Sequence, residues 1–95
     1  MNRTWFNGAL VEGPLAVDRA ERGLTLGDGL FETLLVLNRK PLWGNMHFAR
    51  LEAAAQELGI GFDRDGLDDA VEEVLDGAPK SHHVLRVTLT RGAGV

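Results

Sequence analysis

Apolar positions repeat every second residue near both ends of this chain and every third or fourth residue in between, so strands flank a helical middle. Trp5-Phe6-Asn7-Gly8-Ala9-Leu10-Val11 sets strand-forming residues on either side of Asn-Gly, the pair that tolerates the positive φ angles of a type I′ turn. It predicts a hairpin. Glu12-Gly13-Pro14 ends the second strand, and Asp18 to Gly23 is charged and turn-like. From Leu30 to Leu37 one face reads Leu30, Glu32, Leu34, Val36 and the other Phe31, Thr33, Leu35, Leu37. Both faces are largely apolar, which predicts a central strand buried on both sides. Asn38-Arg39-Lys40-Pro41 then turns the chain into a short strand ending at Trp43.

Helical spacing takes over next. Asn45 suits the N-cap of a helix running to about Leu58, which Gly59 can close in the left-handed conformation. Its inward stripe is Phe48, Leu51, Ala54, Ala55 and Leu58. Asp65 suits the cap of a second helix, with Leu67, Ala70, Val71, Val74 and Leu75 facing inward and Asp68, Asp69, Glu72, Glu73 and Asp76 toward solvent. Gly77-Ala78-Pro79 stops that helix, and His83 to Thr90 alternates again as a strand. Hairpin links on one side and adjacent helices on the other predict an α+β unit with a mainly antiparallel sheet and two adjacent helices. A doubly wound fold needs strands alternating with helices, and that pattern is absent. Arg91-Gly92-Ala93-Gly94-Val95 forms a glycine-bearing loop just after a strand, so the fold is expected to be incomplete within residues 1–95.

Composition narrows the classes. Ninety-five residues with 44% hydrophobic content suit one globular unit near the small end of what builds a core unaided. A formal charge of −4 without any Lys/Arg cluster argues against nucleic acid, because phosphate-backbone binding needs a dense basic face. With no cysteine there is no disulfide frame, no thiolate metal site and no Cys nucleophile. No apolar run follows the start Met1-Asn2-Arg3-Thr4-Trp5, and none anywhere reaches membrane-spanning length. A cytoplasmic protein without a signal peptide is expected.

A few polar residues sit where chemistry needs them. Glu32 lies on a strand face otherwise made of Leu30, Leu34 and Val36, and a buried carboxylate is costly unless a cation meets it. A structural ion pair and a functional site satisfy that demand equally. Arg50 follows His47 by three residues, so both project from one helix surface. A five-donor guanidinium near a helix N-terminus suits a phosphate; an arginine in solvent beside a surface histidine is the plainer reading. Phe31 points away from Glu32, either as core or as a pocket wall. Gly27-Asp28-Gly29 lacks the third glycine and following helix of a dinucleotide loop. Adjacent His82 and His83 face opposite ways on a strand, so no metal site is expected. Arg86, Thr88 and Thr90 share one strand face, where Arg86 reads as solvated, and Ser81 has neither a nucleophile elbow nor a triad around it.

The full strings GDGLFETL (residues 27–34) and HFARL (47–51), with the ending VLRVTLTRGAG, resemble the N-terminal signature of the class IV aminotransferases, the fold-type IV enzymes that use pyridoxal 5′-phosphate. The resemblance spans almost the whole chain but only the smaller, N-terminal part of such an enzyme. It implies that Arg50 binds the cofactor phosphate, that His47 orients it, and that Glu32 belongs to the hydrogen-bond network behind the cofactor. Phe31 becomes a candidate for the substrate pocket, although some D-amino-acid aminotransferases have tyrosine there. The family implies small amino substrates and homodimers. It includes branched-chain and D-amino-acid aminotransferases and 4-amino-4-deoxychorismate lyase; the three strings look most like the lyase, while Glu32-Thr33 replaces the Thr-Thr of some lyases and keeps a transaminase open.

Pyridoxal chemistry requires a lysine, and this chain has only Lys40, in a hairpin turn, and Lys80, after Gly77-Ala78-Pro79. Both read as exposed, and an exposed lysine keeps the high pKa that makes it a poor nucleophile at neutral pH. The family's Schiff-base lysine comes from a larger C-terminal part, so no catalytic residue is expected in residues 1–95. The competing expectation is a non-enzymatic binding or dimerisation domain whose Glu32 and Arg50 form a structural pair.

Overall fold

A computed structural model describes residues 3–94. Met1 and Asn2, at the head of the segment read above for a leader, and Val95, the last residue of the closing loop, lie outside them. The chain folds as an α+β unit with two antiparallel sheets. Strands β1 (Thr4–Phe6) and β2 (Ala9–Val11) form the hairpin, Thr4 pairing with Val11, and Asn7 (φ 46°) and Gly8 (φ 108°) supply its turn. A short helix α1 (Arg22–Leu26) leads into β3 (Gly29–Leu37), β4 (Lys40–Pro41), helices α2 (Gly44–Leu58) and α3 (Arg64–Leu75), and β5 (His82–Thr90). The second sheet has the order β4-β3-β5, with β3 in the centre. Gly29 pairs with Thr90 and Leu37 with His82, so β3 and β5 run together over their full length.

The core lies between this sheet and the helices. Leu34 and Val36 of β3 meet Phe48 of α2 and Val71 and Leu75 of α3, with Leu67, Val74, Leu85 and Val87 packed around them. Ala55, Leu51 and Ala70 are buried alongside, while Leu58, expected in the α2 stripe, is exposed. Gly59 closes α2 in the left-handed conformation (φ 69°), and the Ile60 N–H returns to the Ala55 carbonyl. The hydrogen bond satisfies one carbonyl at the helix end.

Several elements and caps differ from the sequence expectation. Asp18 to Gly23 reads as a turn, yet Arg22–Leu26 is helical. Its N-cap Glu21 accepts the Gly23 N–H through its side chain, and the Arg22 N–H reaches the Gly92 carbonyl, a contact distant in sequence. Helix α2 starts two residues earlier than the Asn45 cap implies. Trp43 (φ 53°) is its N-cap, and the Asn45 side chain instead accepts a hydrogen bond from Arg64. Asp65 lies inside the first turn of α3 and Asp63 precedes it, so the carboxylate acts on the helix dipole rather than as the cap. The short strand ends at Pro41, before Trp43.

Strand β3 is central but covered on one side only. Glu32, Leu34 and Val36 are buried beneath the helices; Phe31, Thr33 and Leu35 are exposed with Val84, Arg86 and Thr88 of β5. Both helices that follow β4 pack on one face, and no described residue covers the other. Leu34→Ala should therefore lower the unfolding free energy by about 2–5 kcal/mol, the cost of truncating a buried leucine. Val84→Ala, on the open face, should change it by less than about 0.5 kcal/mol. Urea denaturation of the two variants checks the contrast.

Candidate active site

Period-two alternation delivers Glu32 to the helix-covered face of β3, between the strand's first residues and buried Leu34. Helical spacing does the rest on α2, where buried Phe48 and Leu51 anchor the inner face and place His47 and Arg50 at its border. The three side chains meet. Arg50 Nε donates to Glu32 Oε1 at 2.6 Å and Nη2 donates to Oε2 at 2.8 Å, a two-pronged bridge between helix and strand. His47 Nδ1 lies 3.7 Å from Oε2, and that buried nitrogen has no hydrogen bond among the described residues.

Exposure is divided unevenly across the bridge. Glu32 is 6% exposed, whereas the Arg50 side chain is 70% exposed. Arg50 runs along the surface and turns only its Nε/Nη2 edge toward the carboxylate. Two of its five N–H bonds are used, and three stay available on the outer side. The Arg50 hydrogen bonds hold the Glu32 carboxyl below the usual carboxylate range, against the opposing effect of burial, and Glu32 in turn pushes the Arg50 pKa up. Glu32 therefore remains an anion, and Arg50 a fixed cation at the protein surface.

Residues around this bridge lock its frame. Asp28 accepts hydrogen bonds from Arg22 at 3.0 Å and Arg91 at 2.7 Å, and these hold its carboxyl below the ordinary value, the Arg91 bond having the larger effect. Arg91 also donates to the Leu58 carbonyl at the end of α2. The glycines on either side of Asp28 have separate reasons. Gly27 ends α1 at φ 64°, and a Cβ on Gly29 would stand 2.7 Å from the Leu89 carbonyl oxygen on β5. Gly27-Asp28-Gly29, weak as a motif alone, thus holds an ion-pair knot that sequence reasoning missed; its signal was an acid flanked by glycines with Arg91 far downstream.

Phe31 lies on the opposite face from Glu32, as expected, and is 60% exposed rather than core. Arg86 is exposed too, but its guanidinium stacks over the Phe31 ring, 4.4 Å from the ring centre, rather than standing free in solvent. His83 bonds the Pro79 carbonyl and Ser81, and no group of metal-binding side chains occurs among the described residues. Lys40 and Lys80 are both exposed. Lys40 pairs with Leu37, and Lys80 lies two residues before His82, which also pairs with Leu37. Leu37 lies five residue steps along the strand from Glu32, roughly 17 Å at the rise of a strand. Among the described residues, no helix is long and apolar enough to cross a membrane.

Residues 29–95 match the amino-transferase class IV family, and the chain belongs to it. This family depends on pyridoxal phosphate. The D-alanine aminotransferase of Bacillus licheniformis is 34% identical over 90 residues, covering 92% of this chain and 32% of that protein. Among solved structures, the 4-amino-4-deoxychorismate lyase of Pseudomonas aeruginosa superposes with a TM-score of 0.78 at 32% identity, over 87% of this chain and 30% of the lyase. A fold IV transaminase of Curtobacterium pusillum gives 0.80 at 27% identity, over 90% of this chain and 32% of that one. This chain spans about a third of the length of these relatives.

The lowered carboxylate pKa values fix a pH dependence. A carboxyl whose folded pKa lies below its unfolded value stabilises the fold above the unfolded value and loses that contribution as pH falls through the folded one. Glu32 starts from 4.5 and Asp28 from 3.8. The urea midpoint should be flat from pH 7 to about 5 and fall below about 4.5, and Glu32→Gln should remove part of that fall while Asp28 retains the rest.

Proposed function

We propose that residues 1–95 form the N-terminal part of a pyridoxal-phosphate enzyme of class IV, and that Arg50 holds the phosphate of its cofactor. The two-pronged Glu32–Arg50 bridge carries this reading. It leaves the outer N–H bonds of a permanently charged fork facing solvent, a donor set that fits phosphate oxygens in both charge and geometry. Glu32 sets the rotation of the guanidinium, and His47 fills the space behind the carboxylate. Bound there, the cofactor supplies an electron sink for bonds at an amine-bearing carbon. Phe31 would wall the substrate side.

The lysine of that chemistry is assigned to a larger C-terminal part. Lys40 and Lys80 stand at the far end of the sheet from Glu32, which supports a separate source. The whole enzyme is read as a cytoplasmic homodimer acting on small amino substrates. We place it first as a 4-amino-4-deoxychorismate lyase, forming p-aminobenzoate and pyruvate for folate synthesis. The likeness to the Pseudomonas aeruginosa lyase supports this order. A D-amino-acid or branched-chain transaminase is the second reading, favoured by the identity to the Bacillus licheniformis enzyme and by the TM-score of the Curtobacterium pusillum transaminase. A non-enzymatic module would need Arg50 to serve only as the partner of Glu32.

Two measurements test the proposal. Purified chain mixed with pyridoxal phosphate should give no stoichiometric, borohydride-reducible absorbance; a one-to-one signal would sink the assignment of the lysine elsewhere. In the enzyme extended by its lysine-bearing part, Arg50→Gln should weaken cofactor retention about ten- to a hundredfold, the effect of losing a charge-assisted hydrogen bond of about 1.5–3 kcal/mol. Retention equal to wild type would leave Arg50 as a structural partner only. Product analysis of the same extended enzyme, p-aminobenzoate against a newly aminated keto acid, separates the lyase from the transaminase.

A further inference from the structure

Two lysines gather at one end of the three-stranded sheet, and among the described residues neither Lys40 nor Lys80 enters an ion pair. Leu37, the last residue of β3, pairs with Lys40 of β4 on one side and His82 of β5 on the other, so the three share one row and one face. Past this row come the Asn38-Arg39 turn, with φ 51° and 66°, and the Lys80-Ser81 segment that leads into β5. A cleft of about 390 Å³ lies there, lined by Leu37, Asn38, Lys80, Ser81 and His82. No carboxylate is in that lining.

The backbone around the cleft is braced from both sides. Arg39 Nε donates to the Ala78 carbonyl, which ties the β3–β4 turn to the segment before Lys80. His83 Nε2 lies 2.8 Å from the Pro79 carbonyl oxygen and 3.2 Å from Ser81 Oγ. A carbonyl can only accept, so this nitrogen carries the hydrogen, and the Ser81 hydroxyl cannot donate to it. Ser81 keeps its own O–H for another acceptor. Its backbone N–H meanwhile returns to the Pro79 carbonyl at 2.9 Å, closing the segment on itself.

The donors around this space outnumber what two carboxylate oxygens can use. Lys80 brings three N–H bonds, Asn38 an amide, Ser81 its hydroxyl and His82 a ring N–H. A phosphate monoester offers three strong acceptor oxygens and up to two negative charges, and a lysine ammonium suits it as a point charge. The volume falls toward the small end of the range of about 300–1,000 Å³ for small-molecule sites, larger than a bare ion needs. Half-buried Leu37 gives a short carbon skeleton an apolar surface to cover.

We propose that this cleft binds the phosphate group of a small phosphorylated molecule, with Lys80 as its charge partner, Ser81, Asn38 and His82 as further donors, and Lys40 adding to the positive field. The site is independent of the cofactor reading, since Arg50 sits with Glu32, five residue steps along β3 from Leu37.

Nuclear magnetic resonance of the ¹⁵N-labelled chain at constant ionic strength tests this, with glycerol 3-phosphate, glycerol and inorganic phosphate added separately. Glycerol 3-phosphate should shift the Asn38, Lys80 and Ser81 amides saturably, and glycerol should leave them in place. Lys80→Gln should lower the affinity at least fivefold and Ser81→Ala at least twofold, with amides away from the cleft unchanged to report an intact fold. Lys40→Gln removes the same charge without removing a lining donor, so it should cost less than Lys80→Gln. Shifts that bypass Asn38 and Ser81, a response that never saturates, an affinity unaltered in Lys80→Gln, or an equal loss in Lys40→Gln would each overturn the site. Inorganic phosphate should also move the Arg50 Nε–H signal, and Arg50→Gln should abolish that response while the Asn38 and Ser81 shifts persist. Absence of the Arg50 response alone would count against the cofactor reading and leave this cleft standing.

Discussion

A carboxylate buried on an aliphatic strand face has to find a cation, and in this fold Glu32 finds Arg50. The demand comes from solvation: an isolated ionised carboxyl in an apolar setting is too costly to persist, so its partner is fixed along with it. Because both prongs of Arg50 meet both oxygens, the bridge sets distance and rotation together. It also ties α2 to β3 at the border of the core formed by Leu34, Val36 and Phe48. An ion pair here does more for placement than for stability, since the arginine stays in contact with water and its attraction is screened.

Much of this was readable before any coordinates. The strands, the two long helices and the antiparallel α+β arrangement follow from period, turn residues and helix stops. The pairing demand of Glu32 and the shared helix surface of His47 and Arg50 follow from spacing alone. The misses have one physical origin, which is contact between segments remote in sequence. Helix α1 is held by Gly92 and by the Glu21 side chain, so Asp18 to Gly23 looked like an unsupported turn. Asn45 gives up the cap because Arg64 takes its side-chain oxygen. The full apolarity of β3 was read as burial on both sides, but a sequence does not state how many layers will form. The stacking of Arg86 on Phe31 needs the β3–β5 register, which neither strand carries by itself.

The two faces of β3 are under different constraints. Residues of even number from 32 to 36 are committed to the helices, so their identities are constrained by packing and by the single ion pair. Residues of odd number are free of that constraint, and Phe31, Thr33 and Leu35 can vary with what lies above them. A change on the open face would thus leave the packing and the ion pair of the covered face in place.

The three sequence strings form one mechanical frame. Gly29 lets β3 begin hard against β5, where any side chain would strike the Leu89 carbonyl. Asp28, one residue earlier, holds Arg91, and Arg91 donates to the Leu58 carbonyl at the end of α2. At its other end α2 is joined through Trp43 to the β4 segment, where the Leu42 N–H bonds the Leu35 carbonyl of β3. Helix α2 is therefore pinned to β3 at both ends, with Glu32 and Arg50 between the pins. A bridge inside such a frame has its two backbones held on either side of it, although Arg50 itself is largely in water.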